Sequence, residues 1–209
     1  MFTAGISPDT QAVLESLAKL PFVKQYYLAG GTACALYYGH RLSYDLDFFS
    51  QEPVEPRVIS SKVENLGRLE VQQASEGTWL GSINQVKLSF FEHLYPLVGE
   101  ESEWANTRIA SKLDIGCMKL EAIGGRGIMR DFVDMYFLSK ELGLDAIIDA
   151  ARHKYAITNY SELHFTRALT YFEDADASIP PTMLVDWEWD EIKRYFEKEV
   201  KILTTKWGI

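Results

Sequence analysis

The chain has 209 residues, enough at about 150 residues per domain for one domain or two unequal lobes. A composition of 47% hydrophobic and 24% charged residues is that of a globular protein and excludes a wholly disordered or collagen-like chain. The 21 basic and 30 acidic residues leave a net charge of −9, which suits neither non-specific DNA binding nor an anionic membrane, though it leaves room for a local basic cleft.

In chain order, Ser7-Pro8-Asp9 and the following QAVLESLAKL read as a capped helix with Val13, Leu14 and Leu17 on one face, stopped by Pro21. Phe22 to Ala29 is aromatic and β-branched and predicts a strand, broken by Gly30-Gly31. Thr32 to Tyr38 is a short helix ended by Gly39. Tyr44 to Phe49 alternates acidic residues with Leu46 and Phe48, the period of a strand with two unlike faces. After a Pro- and Glu-rich loop, Val58 to Leu66 predicts a helix. Leu69 to Gln73, Gly77 to Ile83 and Val86 to Phe91 predict strands, the last two joined by a turn at Asn84. From Glu101 onward the period is helical: Ser111 to Ile123 and Ile128 to Leu142 form a hairpin about Gly124-Gly125, followed by Ser161 to Glu173 and Trp187 to Leu203. The expected organisation is an α+β lobe over 1–100 with a small mixed sheet, then a helical lobe over 101–209.

Cys34 and Cys117 fit no metal-ligand spacing and read as reduced core residues. No apolar run approaches the ~18 residues of a membrane span, and MFTAGISPDT has neither the basic start nor the apolar core of a signal peptide. A cytoplasmic protein without membrane contact is expected. His40, His93, His153 and His164 form no metal-ligand spacing, and neither a P-loop nor a Gly-x-Ser-x-Gly elbow is present. Trp187-Glu188-Trp189 reads as a packing or capping element of the last helix.

Three features carry chemistry. Asp45 and Asp47, at i and i+2 on a strand, point to one face with Cα atoms roughly 6–7 Å apart. Two carboxylates so close repel unless a cation shares the site, and hard oxygen ligands suit Mg²⁺ with substrate phosphates completing its shell. The alternative is a solvated strand edge. Gly30-Gly31-Thr32, between a strand and a helix, offers backbone N–H groups to a phosphate, with Thr32 adding a hydroxyl. Lys119, on a mostly apolar helix face, and the i, i+3 pair Asp131 and Asp134 on the next helix lie at similar distances from the turn and can face each other. That arrangement is either a structural bridge or a phosphate-binding lysine held by carboxylates. Arg126, within a glycine-rich turn, and Arg41, just before the carboxylate strand, are candidate phosphate ligands.

Together these residues resemble a known family. LAGGTACALYYGHRLSYDLDFFS is similar to the first motif of the AbiEii/AbiGii toxin family, a branch of the DNA-polymerase-β-like nucleotidyltransferases, and KLDIGCMKLEAIGGRGIMRDFVDMYFL is similar to its third and fourth motifs. QVKLSFFEHLYP and LTYFEDADASIPPTML also resemble it, so the likeness spans nearly the whole chain. The resemblance implies a polymerase-β-like fold. It implies that Asp45 and Asp47 hold Mg²⁺, that Gly30, Gly31 and Thr32 hold the triphosphate of an NTP, that Lys119 contacts the nucleotide, and that Asp131, with Asp134 beside it, is the acidic residue of the fourth motif. It further implies transfer of a nucleotide, in known cases to the 3′ end of tRNA, and an antitoxin partner. RNA would need a basic cleft, for which Arg41, Lys112, Lys119, Arg126 and Arg130 are the candidates. Two departures stand out: Ser89 where a third carboxylate is expected, and Arg130 where the fourth motif has Lys. Transfer to a protein hydroxyl (AMPylation-type), or a disabled nucleotide- or partner-binding module, are the alternatives.

Overall fold

The computed structural model describes residues 1–156 and 162–208, which divide into two compact units. The first comprises Met1–Pro96 and Glu100–Ser111, the second Leu97–Gly99 and Lys112–Ile209.

In the first unit, α1 (Pro8–Leu17) starts as its sequence dictates. Pro8 takes the first helical position, and the Ser7 hydroxyl accepts the Thr10 N–H at 3.1 Å. Its apolar stripe of Val13, Leu14 and Leu17 is buried. The strand expected over Phe22 to Ala29 shrinks to β1 (Tyr27–Leu28), because Pro21 opens a 3₁₀ turn over Pro21–Gln25 that takes up the preceding residues. Next come α2 (Gly30–Tyr38), β2 (Leu46–Ser50), α3 (Pro56–Val63), β3 (Leu69–Ser75), β4 (Thr78–Ile83) and β5 (Val86–Glu92). Asn84 and Gln85 both take positive φ, 51° and 71°, which is what a two-residue hairpin turn between β4 and β5 demands. The helical period expected from Glu101 begins instead at Lys112. Before it, β6 (Ser102–Trp104) and β7 (Thr107–Ile109) form a second tight hairpin, turning at Ala105-Asn106.

These strands form one mixed seven-stranded sheet in the order β3-β4-β5-β2-β1-β7-β6. Adjacent pairs are antiparallel except β5–β2 and β1–β7, which are parallel. β2 sits at the centre with a two-sided character. Leu46, Phe48 and Ser50 are buried on one face, while Asp47 and Phe49 are half-buried on the other. The Phe48 ring stacks on Phe90 at 5.2 Å, and Tyr26 and Trp79 meet Phe90 edge-on, which makes an aromatic core under that face.

The second unit is helical among its described residues: α4 (Lys112–Gly125), α5 (Met129–Leu142), α6 (Leu144–Lys154), α7 (Glu162–Ala168), α8 (Glu173–Ala177) and α9 (Trp189–Trp207). α6 has no counterpart in the sequence reading. Gly143, at φ +85°, turns the chain straight from α5 into a helix whose Leu144, Ile147, Ile148 and Ala151 are buried. The single helix expected from Ser161 to Glu173 is two, α7 and α8, parted at Leu169–Phe172; Ser161 itself lies outside the described residues. The last helix opens on Trp189, with Glu188 as its N-cap residue. Phe132 of α5 packs against Phe172, Trp189 and Phe196, so Trp189 serves packing, as its sequence context suggests. A buried ion pair lies within the helices: Lys154 Nζ sits 2.9 Å from Asp114 Oδ1 with both side chains fully buried. The same carboxylate accepts the N–H groups of Val98 and Gly99, each at 3.0 Å, tying that short segment to α4. Cys34 and Cys117 are buried and form no disulfide. Burial and the neighbouring Asp114 push the Cys117 thiol up to about 12, so it is inert. Among the described residues no helix is long and apolar enough to cross a membrane.

Candidate active site

In the first unit the candidate residues converge on the entry to β2. Asp45 stands one residue before the strand, yet burial alternates through it. Leu46 and Phe48 are buried while Asp45 and Asp47 are half-buried, placing the two carboxylates on one side. Their backbone is pinned from two directions. The Thr10 hydroxyl donates to the Tyr44 carbonyl at 3.2 Å, and the buried Thr32 hydroxyl engages both the Asp45 carbonyl and Ser43 Oγ, the latter at 2.8 Å. Thr32 thus positions Asp45 rather than presenting its hydroxyl to a ligand. The Ala29 N–H bonds the Asp47 carbonyl at 3.0 Å, which fixes the start of α2 against the carboxylate strand.

The two glycines are required by this arrangement. Gly30 has φ +66°, and a Cβ there would stand 3.1 Å from Asp47 Oδ2. A Cβ on Gly31 would lie 2.5 Å from Arg41 Nη2. Arg41 is 4% exposed and donates to the Leu42 carbonyl at 3.0 Å, so it packs beneath the glycine turn instead of reaching outward. With no side chains on Gly30 and Gly31, the first turn of α2 presents backbone N–H groups beside the carboxylates, the geometry of an anion site.

The parallel register of β2 and β5 pairs Asp47 with Ser89 and Ser50 with Glu92. The position beside Asp47 therefore holds a hydroxyl. Glu92 points to the other face by alternation and packs at Gly77. The donor set on this face is two carboxylates, and Asp47 Oδ2 sits close against Gly30, where a Cβ would stand 3.1 Å from it. Hard oxygen donors suit a cation such as Mg²⁺.

In the second unit Lys119, Asp131, Asp134 and Arg126 form one network. Lys119 Nζ lies 2.9 Å from Asp131 Oδ1 and 2.6 Å from Asp134 Oδ2; the lysine side chain is 6% exposed and both carboxylates are fully buried. This is the facing expected across the α4–α5 hairpin. Arg126 adds Nε to Asp131 Oδ2 at 2.9 Å and Nη2 to Oδ1 at 3.1 Å, a bidentate pair. Burial alone would raise the Asp131 carboxyl. The Lys119 ammonium and Arg126 guanidinium overcome that and hold it below the usual carboxylate range. Arg126 is 56% exposed and orientationally fixed, whereas Lys119 is enclosed by carboxylates.

Two structural pairs escape the sequence reading. The packing of Arg41 on Gly31 has no spacing signal. Asp114 and Lys154 do: each is a charge at a buried position on a helix whose neighbours there are apolar.

A model of the family described as the nucleotidyl transferase AbiEii toxin of type IV toxin–antitoxin systems matches residues 12–78. The uncharacterized protein aq_aa25 of Aquifex aeolicus (strain VF5) is 33% identical over 202 residues, 94% of this chain and 96% of the relative. Two solved structures share the fold. One is a Helicobacter pylori protein assigned to the nucleotidyltransferases, at TM-score 0.57 and 18% identity over 96% of each chain. The other is MenT4, a nucleotidyltransferase toxin from Mycobacterium tuberculosis H37Rv, at TM-score 0.56 and 11% identity over 95% of this chain and 86% of that one. The fold is that of the polymerase-β-like nucleotidyltransferases; the chain belongs to one family with aq_aa25, and its residues 12–78 carry the match to the AbiEii nucleotidyl transferase model.

Proposed function

We propose that Asp45 and Asp47, with the Gly30-Gly31 turn, organise the triphosphate of an NTP for attack by an acceptor hydroxyl. A bond forms from that hydroxyl oxygen to the α-phosphorus, the bond to the bridging oxygen breaks, and pyrophosphate leaves. The observation that carries the reading is the placement of two half-buried carboxylates on one side of β2, against a turn that only glycine can form. Asp45 and Asp47 are the residues that would hold Mg²⁺, which when bound neutralises phosphate charge. Gly30 and Gly31 leave the backbone N–H groups open to the phosphates, Arg41 supports the turn from beneath, and Thr32 fixes Asp45. In the helical unit, exposed Arg126 is the cation suited to a phosphate. Lys119, through Asp131, sets its orientation, and Asp134 shares the charge of the buried ammonium.

The acceptor we favour is the 3′ end of tRNA, with an antitoxin protein as partner and the cytoplasm as the place of action. Of the five cations expected to line a basic cleft, Arg41 is buried, Lys119 is buried and ion-paired, and Lys112 is engaged by Glu141 at 2.7 Å. Arg126 and Arg130 are exposed. RNA contact thus falls to a few residues of the helical unit. The net charge of −9 favours a protein hydroxyl as the competing acceptor. Incubating the protein with Mg²⁺, total tRNA and each α-labelled NTP in turn tests the reading. Label is expected in RNA with the wild type and in neither macromolecule with Asp45→Asn/Asp47→Asn. Label in protein alone would overturn the RNA acceptor.

A further inference from the structure

A cavity of about 360 Å³ opens in the helical unit between the turn after α4 and the α7–α8 region. Neither Asp45 nor Asp47 lines it, and it meets the Lys119 network at Arg126. Its walls include Gly125, Arg126, His164, Arg167, Tyr171 and Asp174. The size sits near the small end of ligand sites, about 300–1,000 Å³, and admits one nucleotide rather than a duplex.

The lining has a definite chemistry. On a chain of net charge −9, two arginines and a histidine share one cavity with a single carboxylate. Arg126 is held in a fixed orientation by its bidentate bond to Asp131 while remaining 56% exposed. The His164 ring is fixed as well, its Nε2 lying 3.1 Å from the Gly124 carbonyl and donating to it. Tyr171 is 51% exposed, and its hydroxyl donates to Glu173 at 2.8 Å, which steadies the ring as a stacking surface. Gly125 supplies a separate observation. A Cβ at Gly124 would stand 2.9 Å from the Phe165 ring, and Gly127 has φ +48°, so the fold requires both of those glycines. At Gly125 a Cβ would meet nothing within 4 Å, and φ is not positive. The fold does not require that glycine, although glycine is a poor helix former. What its missing side chain leaves is open cavity.

We propose that this cavity is a ribonucleotide-phosphate pocket that seats one nucleotide of the RNA acceptor. Arg126 and Arg167 meet the phosphate, Tyr171 stacks on the base, and Asp174 accepts from a ribose hydroxyl or an exocyclic amine. Because Arg126 shares Asp131 with Lys119, occupancy bears on the Lys119–Asp131–Asp134 network. The inference rests on the RNA-acceptor reading above. A free NTP offers the same phosphate, sugar and base, so the test separates the two sources.

The test uses the full chain and three variants, Arg167→Glu, Tyr171→Ala and Gly125→Leu. Binding of a fluorescein-labelled single-stranded hexaribonucleotide is followed by anisotropy without NTP, and binding of a fluorescent NTP with Mg²⁺ separately. Tyr171→Ala is expected to weaken RNA binding roughly 5- to 150-fold, the worth of one stacked base. Arg167→Glu is expected to reduce the salt slope by about 0.7 or more, the share of one phosphate on a single strand. Gly125→Leu fills the cavity and is expected to weaken RNA binding with the melting temperature unchanged, because no atom lies where its Cβ goes. NTP affinity stays at the wild-type value in all three. Loss of NTP affinity with RNA binding intact would keep the pocket but assign it to the donor nucleotide. No change in either ligand overturns the proposal. A wild type that binds no RNA removes the acceptor reading, and the NTP arm then decides the pocket alone.

Discussion

Replacing Lys119 with methionine keeps the length and apolar stem of the side chain and removes only its charge. The structure makes that a severe change. Asp131 and Asp134 are fully buried and lie 2.9 and 2.6 Å from the ammonium. Asp131 keeps Arg126, but the pair as a whole loses the cation between its carboxylates. Removing one partner of a buried ion pair costs about 3–5 kcal/mol, a large share of the roughly 5–15 kcal/mol that holds a protein folded. For a chain of this size that corresponds to a melting temperature lower by roughly 6–20 °C. The burial of Lys119 predicts that stability suffers as well as turnover. Urea unfolding followed by circular dichroism measures the loss. Adding Asp134→Asn neutralises one stranded carboxylate and should recover about 1 kcal/mol or more. A single variant that loses less than about 1 kcal/mol, or a double variant less stable than the single, would refute the argument from burial.

Other expectations follow from the same geometry. Gly31→Ala drives a Cβ to within 2.5 Å of Arg41 Nη2 and should cost about 1–3 kcal/mol by urea unfolding. Lys154→Met strands the buried Asp114 carboxylate. It should cost about 3–5 kcal/mol, and it should speed amide exchange at Val98 and Gly99, whose N–H groups that carboxylate holds. Asp131 has a folded-state pKa below its unfolded value of about 3.9, so its contribution is full above that value and is lost as pH falls through the folded one. The melting temperature of the wild type should therefore fall more steeply below about pH 4 than that of Asp131→Asn. Parallel acid limbs would show that Asp131 carries no such linkage.

Features encoded within a few residues were legible in the sequence. Ser7-Pro8 announces α1, and Asn84 announces the β4–β5 turn, because capping and positive φ are local demands. The one-sided placement of Asp45 and Asp47 follows from strand alternation, and the meeting of Lys119 with Asp131 and Asp134 follows from helical rise on either side of a short turn. Where two local signals compete, reading fails. Phe22 and Val23 have strand composition, but Pro21 opens a 3₁₀ turn through them. The β6–β7 hairpin has three-residue strands, too short to display a period, and turns on Ala105-Asn106 without a glycine. Pairings distant in sequence are invisible from it. Lys154 meets Asp114 across forty residues, and the roles of Thr32 and Arg41 as supports of Asp45 and Gly31 depend on how α2 seats against the carboxylate strand.

We propose that the carboxylate pair at the entry to β2 drives nucleotidyl transfer to RNA. The most direct test is the intact mass of tRNA after incubation with the protein, Mg²⁺ and a mixture of NTPs, using wild type and Asp47→Asn. A tRNA heavier by one or more nucleotide monophosphates is expected with the wild type, and an unchanged mass with Asp47→Asn. The same mass gain from both proteins would contradict the proposal.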